Sequence, residues 1–269
     1  MHLNGNDLCA FTIVQNETYF LDIWVNYYSR SIPFSDLYVL NHNSYTDAAL
    51  SVLDKVRSLG VNVINVHNKF SFNHYWLRSV VEKFHRFLLN SYKVVIFAES
   101  DEIIIPRPDL YSANLKEYVL NNIDGSKDNI IRCVGYCLEH DPAIEPALDL
   151  SKPVMSQRRK WRYTQLYNKP AISSRECSWN LGFHCLLNDI NHPVDKHLLL
   201  IHLHKMDYHL CKQRHKERAF ENWAKHEEGY NENNQNRFYD GKEFDDFFFS
   251  GQFTTAKVEQ IPDFMIGAF

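Results

Sequence analysis

Four short apolar-rich runs, LCAFTIV (Leu8 to Val14), DLYVL (Asp36 to Leu40), VNVINV (Val61 to Val66) and YKVVIFA (Tyr92 to Ala98), are separated by stretches with helical periodicity. In the first stretch Phe20, Leu21, Trp24 and Tyr28 follow Asn16-Glu17; the second, DAALSVLDKVRSLG, ends at Gly60. The third, NHYWLRSVVEKFHRFLLN, places Trp76, Leu77, Val80, Val81, Phe84 and Leu88 on one side. A helix between successive strands rules out hairpins and forces crossovers, so the strands run parallel, and helices on both faces explain why the runs are apolar throughout. The expectation is an α/β, doubly wound, mostly parallel sheet with helices on both faces.

After Pro106 and Pro108 the rhythm loosens. LKEYVLNNI reads as a short helix, NIIRCVGYCLEH and HLLLIHLH as strands, DPAIEPALDLSKP as a proline-rich loop, and residues from about Tyr208 to His226 as a long charged helix. The tail, rich in Asn and then in FDDFFF, carries no clear period, and no internal repeat is present. With 269 residues the chain lies between one large domain and two small ones. The division expected is a core over 1–205, with halves of about 8–108 and 109–205, and a helical or irregular extension over 206–269 packed on it.

A formal charge of -4 gives no overall attraction to nucleic acid or anionic membrane, so any basic site must be local. The N-terminal MHLNGNDLCAF lacks the pattern of a signal peptide, and no apolar run approaches the ~20 residues that span a bilayer. The expectation is a soluble, cytoplasmic protein with no transmembrane segment. Six cysteines lie at strand-like or scattered positions without a CxxC pair, which favours free thiols over disulfides or a zinc knuckle.

In a doubly wound sheet the ligand crevice opens at the carboxyl ends of the strands. Three polar clusters, QNE after the first strand, NHNSYTD after the second and ESDE after the fourth, emerge on that edge and form one candidate site. Glu99 and Asp101, two residues apart, suit a hard divalent cation, since carboxylate oxygens match Mg²⁺ or Mn²⁺. Solvation of a loop is the competing role for these acids. Ser44 and Asp47 have the spacing of a helix cap, compatible with ligand contact, and Asn16 also suits a turn. Glu102, which points away from Asp101 if the chain stays extended, reads as a supporting acid.

The segments CAFTIVQNETYFLDIWVNYY, LYVLNHNSYTD and YKVVIFAESDEIIIP together resemble the family 2 type of glycosyltransferases with the GT-A fold, over roughly residues 8 to 108. The branch resembled has a valine-x-asparagine-glutamate start, an aspartate-asparagine-x-serine-x-aspartate loop and a strand ending in aspartate-x-aspartate-glutamate; KPAIS, WNLGFH and LIHLH give a weaker echo. The resemblance implies a metal-dependent transferase using a UDP-, GDP- or dTDP-sugar donor and a glycan or other hydroxyl acceptor, moving a hexosyl or pentosyl group with inversion. It implies donor contacts from Asn16, Glu17, Asn41, Asn43, Ser44, Asp47, Glu99 and Ser100, with Asp101 as principal ligand of Mn²⁺ or Mg²⁺. The chain departs from the pattern at Glu99, where the first aspartate is usual, and at Asn41, where an acid is common.

Several other residues are drawn in. His202 and His204, two apart on a strand, share a face and are candidate metal ligands, whereas His209 and His215 fall on the exposed face of the next helix. Trp179, Gly182 and His184 are candidate acceptor contacts, the indole as a stacking face for a sugar or else as core. The RRKWR cluster offers Arg158, Arg159 and Arg162 for a diphosphate, or forms a solvated loop. Glu176 and Asp141 are candidate general bases, each also readable as a surface acid. Two rival readings are a catalytically inactive nucleotide-sugar or glycan binder, motivated by Glu99, and a metallohydrolase using His202, His204 and His209. Association with a membrane would come only through the acceptor.

Overall fold

The computed structural model describes residues 6–68, 73–111, 114–123, 129–187, 192–219, 241–250 and 256–269. The chain begins with β1 (Asn6–Val14), α1 (Phe20–Tyr28), β2 (Leu37–His42), α2 (Asp47–Ser58), β3 (Asn62–Val66), α3 (His74–Leu89) and β4 (Tyr92–Phe97). These four strands lie in the order β3-β2-β1-β4, all parallel. The chain therefore steps outward from β1 to β3 and then returns to the other side of β1. That reversal opens a crevice between the carboxyl ends of β1 and β4.

Alternate residues of β1 serve two cores. Leu8 and Ala10 join Val94 and Ile96 of β4 beneath Trp24 of α1 and Leu53 and Val56 of α2. Cys9 and Phe11 join Val95 and Phe97 beneath Val81 and Leu88 of α3. Both faces of the strand are dry, which is why its sequence shows no polar alternation. The fold is α/β, with helices on both faces of this block.

Beyond β4 come β5 (Glu102–Pro106), α4 (Leu115–Asn122), β6 (Ile130–Glu139), β7 (Lys160–Tyr163), β8 (Pro170–Ser173), β9 (Val194–His202), α5 (Tyr208–Ala219), α6 (Gly241–Phe249) and β10 (Val258–Gln260). The sheet continues β4-β8-β6-β7-β10 through antiparallel pairs, while β9 runs parallel to β6 and antiparallel to β5. RRKWR and KPAIS are thus carried largely by short strands. Four-residue strands with polar ends leave too little period to be read.

The C-terminal segment contains helix, strand and turn. Phe244, Phe247 and Phe248 of α6 pack with Cys211 of α5 in a small core of their own, at the i, i+3, i+4 spacing hidden in FDDFFF. After it, β10 adds to the sheet edge, and Met265 and Phe269 enter the main core. Residues 220–226 of the expected long helix and the Asn-rich stretch lie outside the described residues. All six cysteines are free thiols, four of them buried. Among the described residues no helix is long and apolar enough to cross a membrane.

Candidate active site

The loop after β1 is built from side chains that cap backbone. Asn16 adopts a positive φ of 49°, a conformation that asparagine tolerates better than most residues. Its amide N–H donates to Ser44 Oγ at 2.9 Å, and its side-chain oxygen accepts from the N–H of Tyr45 and Thr46. Asn41 accepts from the Ser44 N–H and donates to Asn65 Oδ1, while Asn43 meets His67 Nδ1 at 2.9 Å. Asn16 thus locks the loop after β1 to that after β2, and Asn41 and Asn43 tie the second of these to β3 and the chain after it. Thr46, not Ser44, caps α2 by accepting from Ala49 N–H, and Asp47 is exposed in its first turn.

Glu17 is buried beneath this loop. Its Oε1 accepts from the N–H groups of Tyr19 and Phe20 at 2.9 Å each, closing the start of α1. Its Oε2 pairs with Arg214 of α5 at 3.1 Å, and that guanidinium lies 4.2 Å from the Phe20 ring centroid. A pocket lined by Gln15, Asn16, Glu17, Tyr19, Arg214 and Glu217 opens here, at the end of β1.

Across the crevice, ESD forms a tight turn between β4 and β5, with Glu102 N–H donating to Glu99 O at 2.9 Å. Ser100 and Asp101 are buried in it. Because β9 runs antiparallel to β5, Glu102 stands opposite His202, and Leu203 N–H donates to Asp101 O at 2.8 Å. This register delivers two imidazoles to one carboxylate. His202 Nε2 is 3.6 Å and His204 Nδ1 3.8 Å from Asp101 Oδ2, and the two rings are nearly parallel at 5.7 Å.

Burial disfavours charge on both Asp101 and His202, but each offsets it for the other. The imidazole of His202 holds the Asp101 carboxyl well below the usual carboxylate range, and Asp101 raises His202 above the ordinary histidine range. Tyr167 stacks on His202 with centroids 4.0 Å apart. Gly135 permits that approach, since a Cβ there would collide with the carbonyl carbon and Cβ of Tyr167. Asp101, His202 and His204 present one oxygen and two nitrogens within 4.8 Å of one another, a donor set that fits a divalent cation.

Glu99 is outside that set. Lys169, almost fully buried, reaches Glu99 Oε2 at 2.6 Å and Glu102 Oε1 at 2.5 Å. Burial works against a charged lysine, yet the two carboxylates hold its pKa above the ordinary range. Glu102 and Glu99 share this one cation.

Other candidates are occupied elsewhere. Arg158 is fully buried and donates to the carbonyls of Met206, Pro146 and Gln157 and to Asp207, so its guanidinium holds loops together and faces no crevice. Arg162 makes a two-pronged pair with Glu139, and Arg159 is exposed. Trp179 is core: it is 1% exposed, donates Nε1–H to Pro170 O at 3.2 Å and meets His85 edge-on, leaving no ring face for a sugar. Asp141 pairs with Lys160 at 2.6 Å, and the exposed Glu176 with Arg86 at 2.7 Å. Neither acid belongs to the Asp101 cluster.

Gly182 adopts a φ of 85° before Phe183 at 61°, turning His184 onto the edge of Tyr167 at 5.4 Å. Burial, aided by Lys169 and His202, pushes the His184 pKa down to about 2. His209 is exposed as expected, but His215 is not: it is 2% exposed, with Nε2 3.2 Å from His204 Nε2. Sequence reading missed Lys169, Tyr167 and Arg214 at this site. Lys169 opens a motif already noted, KPAIS, and Tyr167 lies two residues before it; Arg214, 197 positions from Glu17, gives no local signal.

The structure therefore defines an α/β protein with a carboxylate and paired imidazoles at its switch-point crevice. Among solved structures it is similar to S. aureus TarS, at 13% identity over 80% of this chain and 40% of that one, with a TM-score of 0.41. S. aureus TarS 1-349 in complex with UDP-GlcNAc matches at 15% over 62% and 44%, with a TM-score of 0.35. Glucosyl-3-phosphoglycerate synthase from Mycobacterium tuberculosis, in complex with Mg²⁺ and UDP, matches at 16% over 49% and 44%, with a TM-score of 0.34. The chain thus covers less than half the length of each. No protein-family model matches the chain, and no curated protein matches its sequence. Likenesses this remote leave the chemistry to be read from the chain's own residues.

Proposed function

We propose that the chain is a GT-A-type glycosyltransferase that takes a nucleotide-sugar donor at the crevice between β1 and β4, with a divalent cation held by Asp101, His202 and His204. The observation that carries this is their convergence at the switch point, beside the Asn16–Glu17 loop. One carboxylate and two imidazoles favour Mn²⁺ over Mg²⁺, because imidazole is the softer ligand. A bound cation supplies positive charge to offset the departing nucleoside diphosphate. The Asp101 carboxylate orients His202, and Tyr167 fixes that ring by stacking. Arg214, paired with Glu17, lines the pocket beside it.

The test is a thermal-shift screen of UDP-, GDP-, dTDP- and CMP-sugars with and without Mn²⁺, since a ligand that binds the native state raises its apparent stability. One donor class should stabilise the protein only with metal, and Asp101→Asn should abolish both that shift and donor hydrolysis while remaining folded. Retention of metal-dependent stabilisation and hydrolysis by Asp101→Asn would overturn the assignment.

The Lys169–Glu99 pair favours a second reading. An acid already committed to a buried lysine is what a binding module with a decayed metal motif would retain. Calorimetry showing donor binding without turnover across an acceptor panel would select it.

A further inference from the structure

A second group of metal-ligating atoms lies behind the first. Cys211 and His215 are four residues apart on α5, so their side chains share one helical face. That face is turned inward: Cys211 is 1% and His215 2% exposed. It meets His204, two residues past β9, through two imidazole Nε2 atoms at 3.2 Å. One ligating atom from each of His204, Cys211 and His215 falls within 4.8 Å of the other two.

The geometry points to a site for one zinc ion, or a similar borderline-soft divalent cation, held by Nε2 of His204, Nε2 of His215 and the thiolate of Cys211. Two imidazoles and one thiolate are a typical zinc donor set, with metal–nitrogen bonds of about 2.0–2.1 Å and a metal–sulfur bond of about 2.3 Å. Tetrahedral bonds of these lengths set nitrogen–nitrogen separations of about 3.3 Å. The 3.2 Å between the two Nε2 atoms is already close to that.

The surroundings fit a bound thiolate. Lys205 and Arg214, both buried, lie within electrostatic reach of Cys211. Arg214 is balanced by Glu17, which limits the positive charge a zinc ion would face. Phe247 packs edge-on against His215 at 4.4 Å and His204 at 6.0 Å, and Phe244 meets His215 at 5.9 Å, giving an apolar wall on the α6 side. On the other side His204 Nδ1 faces Asp101. With zinc on Nε2, the Nδ1–H would point to that carboxylate, the arrangement that commonly orients a ligating histidine.

Zinc here would tie α5 to the chain after β9 and compete with the crevice cation for His204; with zinc bound, that cation keeps Asp101 and His202 as its ligands. Site occupancy does not depend on the chain transferring sugar, so the two conclusions can fail separately.

Titration of the intact, metal-stripped chain with Co²⁺ tests the site, because cobalt reports its ligands optically. The expected result is one equivalent that carries a thiolate-to-cobalt charge-transfer band and is displaced by Zn²⁺, whatever further Co²⁺ the crevice takes up without that band. Cys211→Ser should lose the band, and His215→Asn should weaken binding at least tenfold. Circular dichroism of both variants in chelator, matched to the metal-free wild type, separates metal loss from misfolding; if either is unfolded, X-ray absorption of the zinc-loaded wild type must show one sulfur and two imidazole nitrogens. Absence of the band in the wild type, its survival in folded Cys211→Ser, or a sulfur-free zinc shell would overturn the inference.

Discussion

Lys169 and Glu99 form an ion pair of 2.6 Å in which the lysine side chain is 3% exposed and the glutamate 35%. Glu99 is therefore the half-exposed partner of a buried ammonium. Behind it Glu102, 2% exposed, depends on the same ammonium at 2.5 Å. Removing one partner of a buried pair costs more than the pair itself contributes, because an uncompensated charge stays behind. Lys169→Met should lower stability by about 3–5 kcal/mol in urea unfolding. Lys169→Met with Glu102→Gln should recover most of the loss. A loss of under about 1 kcal/mol in the single variant would mean that Glu102 is protonated in the fold and needs no cation.

Gly135 tests how the stack on His202 is supported. Its missing side chain is what lets the Tyr167 backbone approach β6, and Tyr167 in turn fixes the His202 ring at 4.0 Å. Gly135→Ala should cost about 1–3 kcal/mol as an overpacking change. It should also weaken Mn²⁺ binding, measured by calorimetry, several-fold more than Gly60→Ala, a change at a surface helix end. Equal metal affinity in the two variants would separate Tyr167 from the metal ligands.

The sequence carries the parallel half of the fold in plain view, because β1, β2 and β4, largely dry on both faces, read as apolar runs; the edge strand β3 is partly exposed and keeps Asn62 and Asn65. The edge on which Asn16, Glu17, Glu99 and Asp101 emerge follows from that alternation. The antiparallel half is less legible: β7 and β8 are four residues long, and their polarity mirrors their partners, not a period. Whether an arginine is ligand or scaffold is not a local property either. Arg158 resembles its neighbours in RRKWR until Asp207 and the carbonyls of Met206 and Pro146 surround it. His215 illustrates the same limit, since only the packing of α6 on α5 turns it inward.

Trp179 is expected to matter for stability and not for sugar recognition. It fills the core between His85, Phe97 and Phe183 and donates to Pro170 O. Trp179→Ala should cost about 3–5 kcal/mol. Trp179→Phe keeps much of the volume but strands the Pro170 carbonyl, a loss of about 1 kcal/mol from that bond. Chemical unfolding gives both values. A phenylalanine variant of unchanged stability with a several-fold weaker acceptor interaction would return the indole to the binding site.

Acid should destabilise the protein well before its carboxylates titrate. His85 is 1% and His42 3% exposed, and burial lowers their pKa values from 6.5 to about 3 and about 4. Each stays neutral in the fold while the unfolded chain takes up a proton below 6.5, so stability falls as pH drops from 6.5 toward those folded values. A histidine held neutral this way costs about 2 kcal/mol at about pH 5. His202 contributes with the opposite sign: its folded pKa is raised, so its stabilisation is full below 6.5 and is lost as pH rises through the folded value. The two effects separate in a variant. His85→Gln can still meet Ser173 Oγ, which the imidazole contacts at 2.8 Å, but takes up no proton. Its melting temperature should fall less steeply than that of the wild type between about pH 7 and pH 5, and parallel curves would show that His85 gains its proton without unfolding.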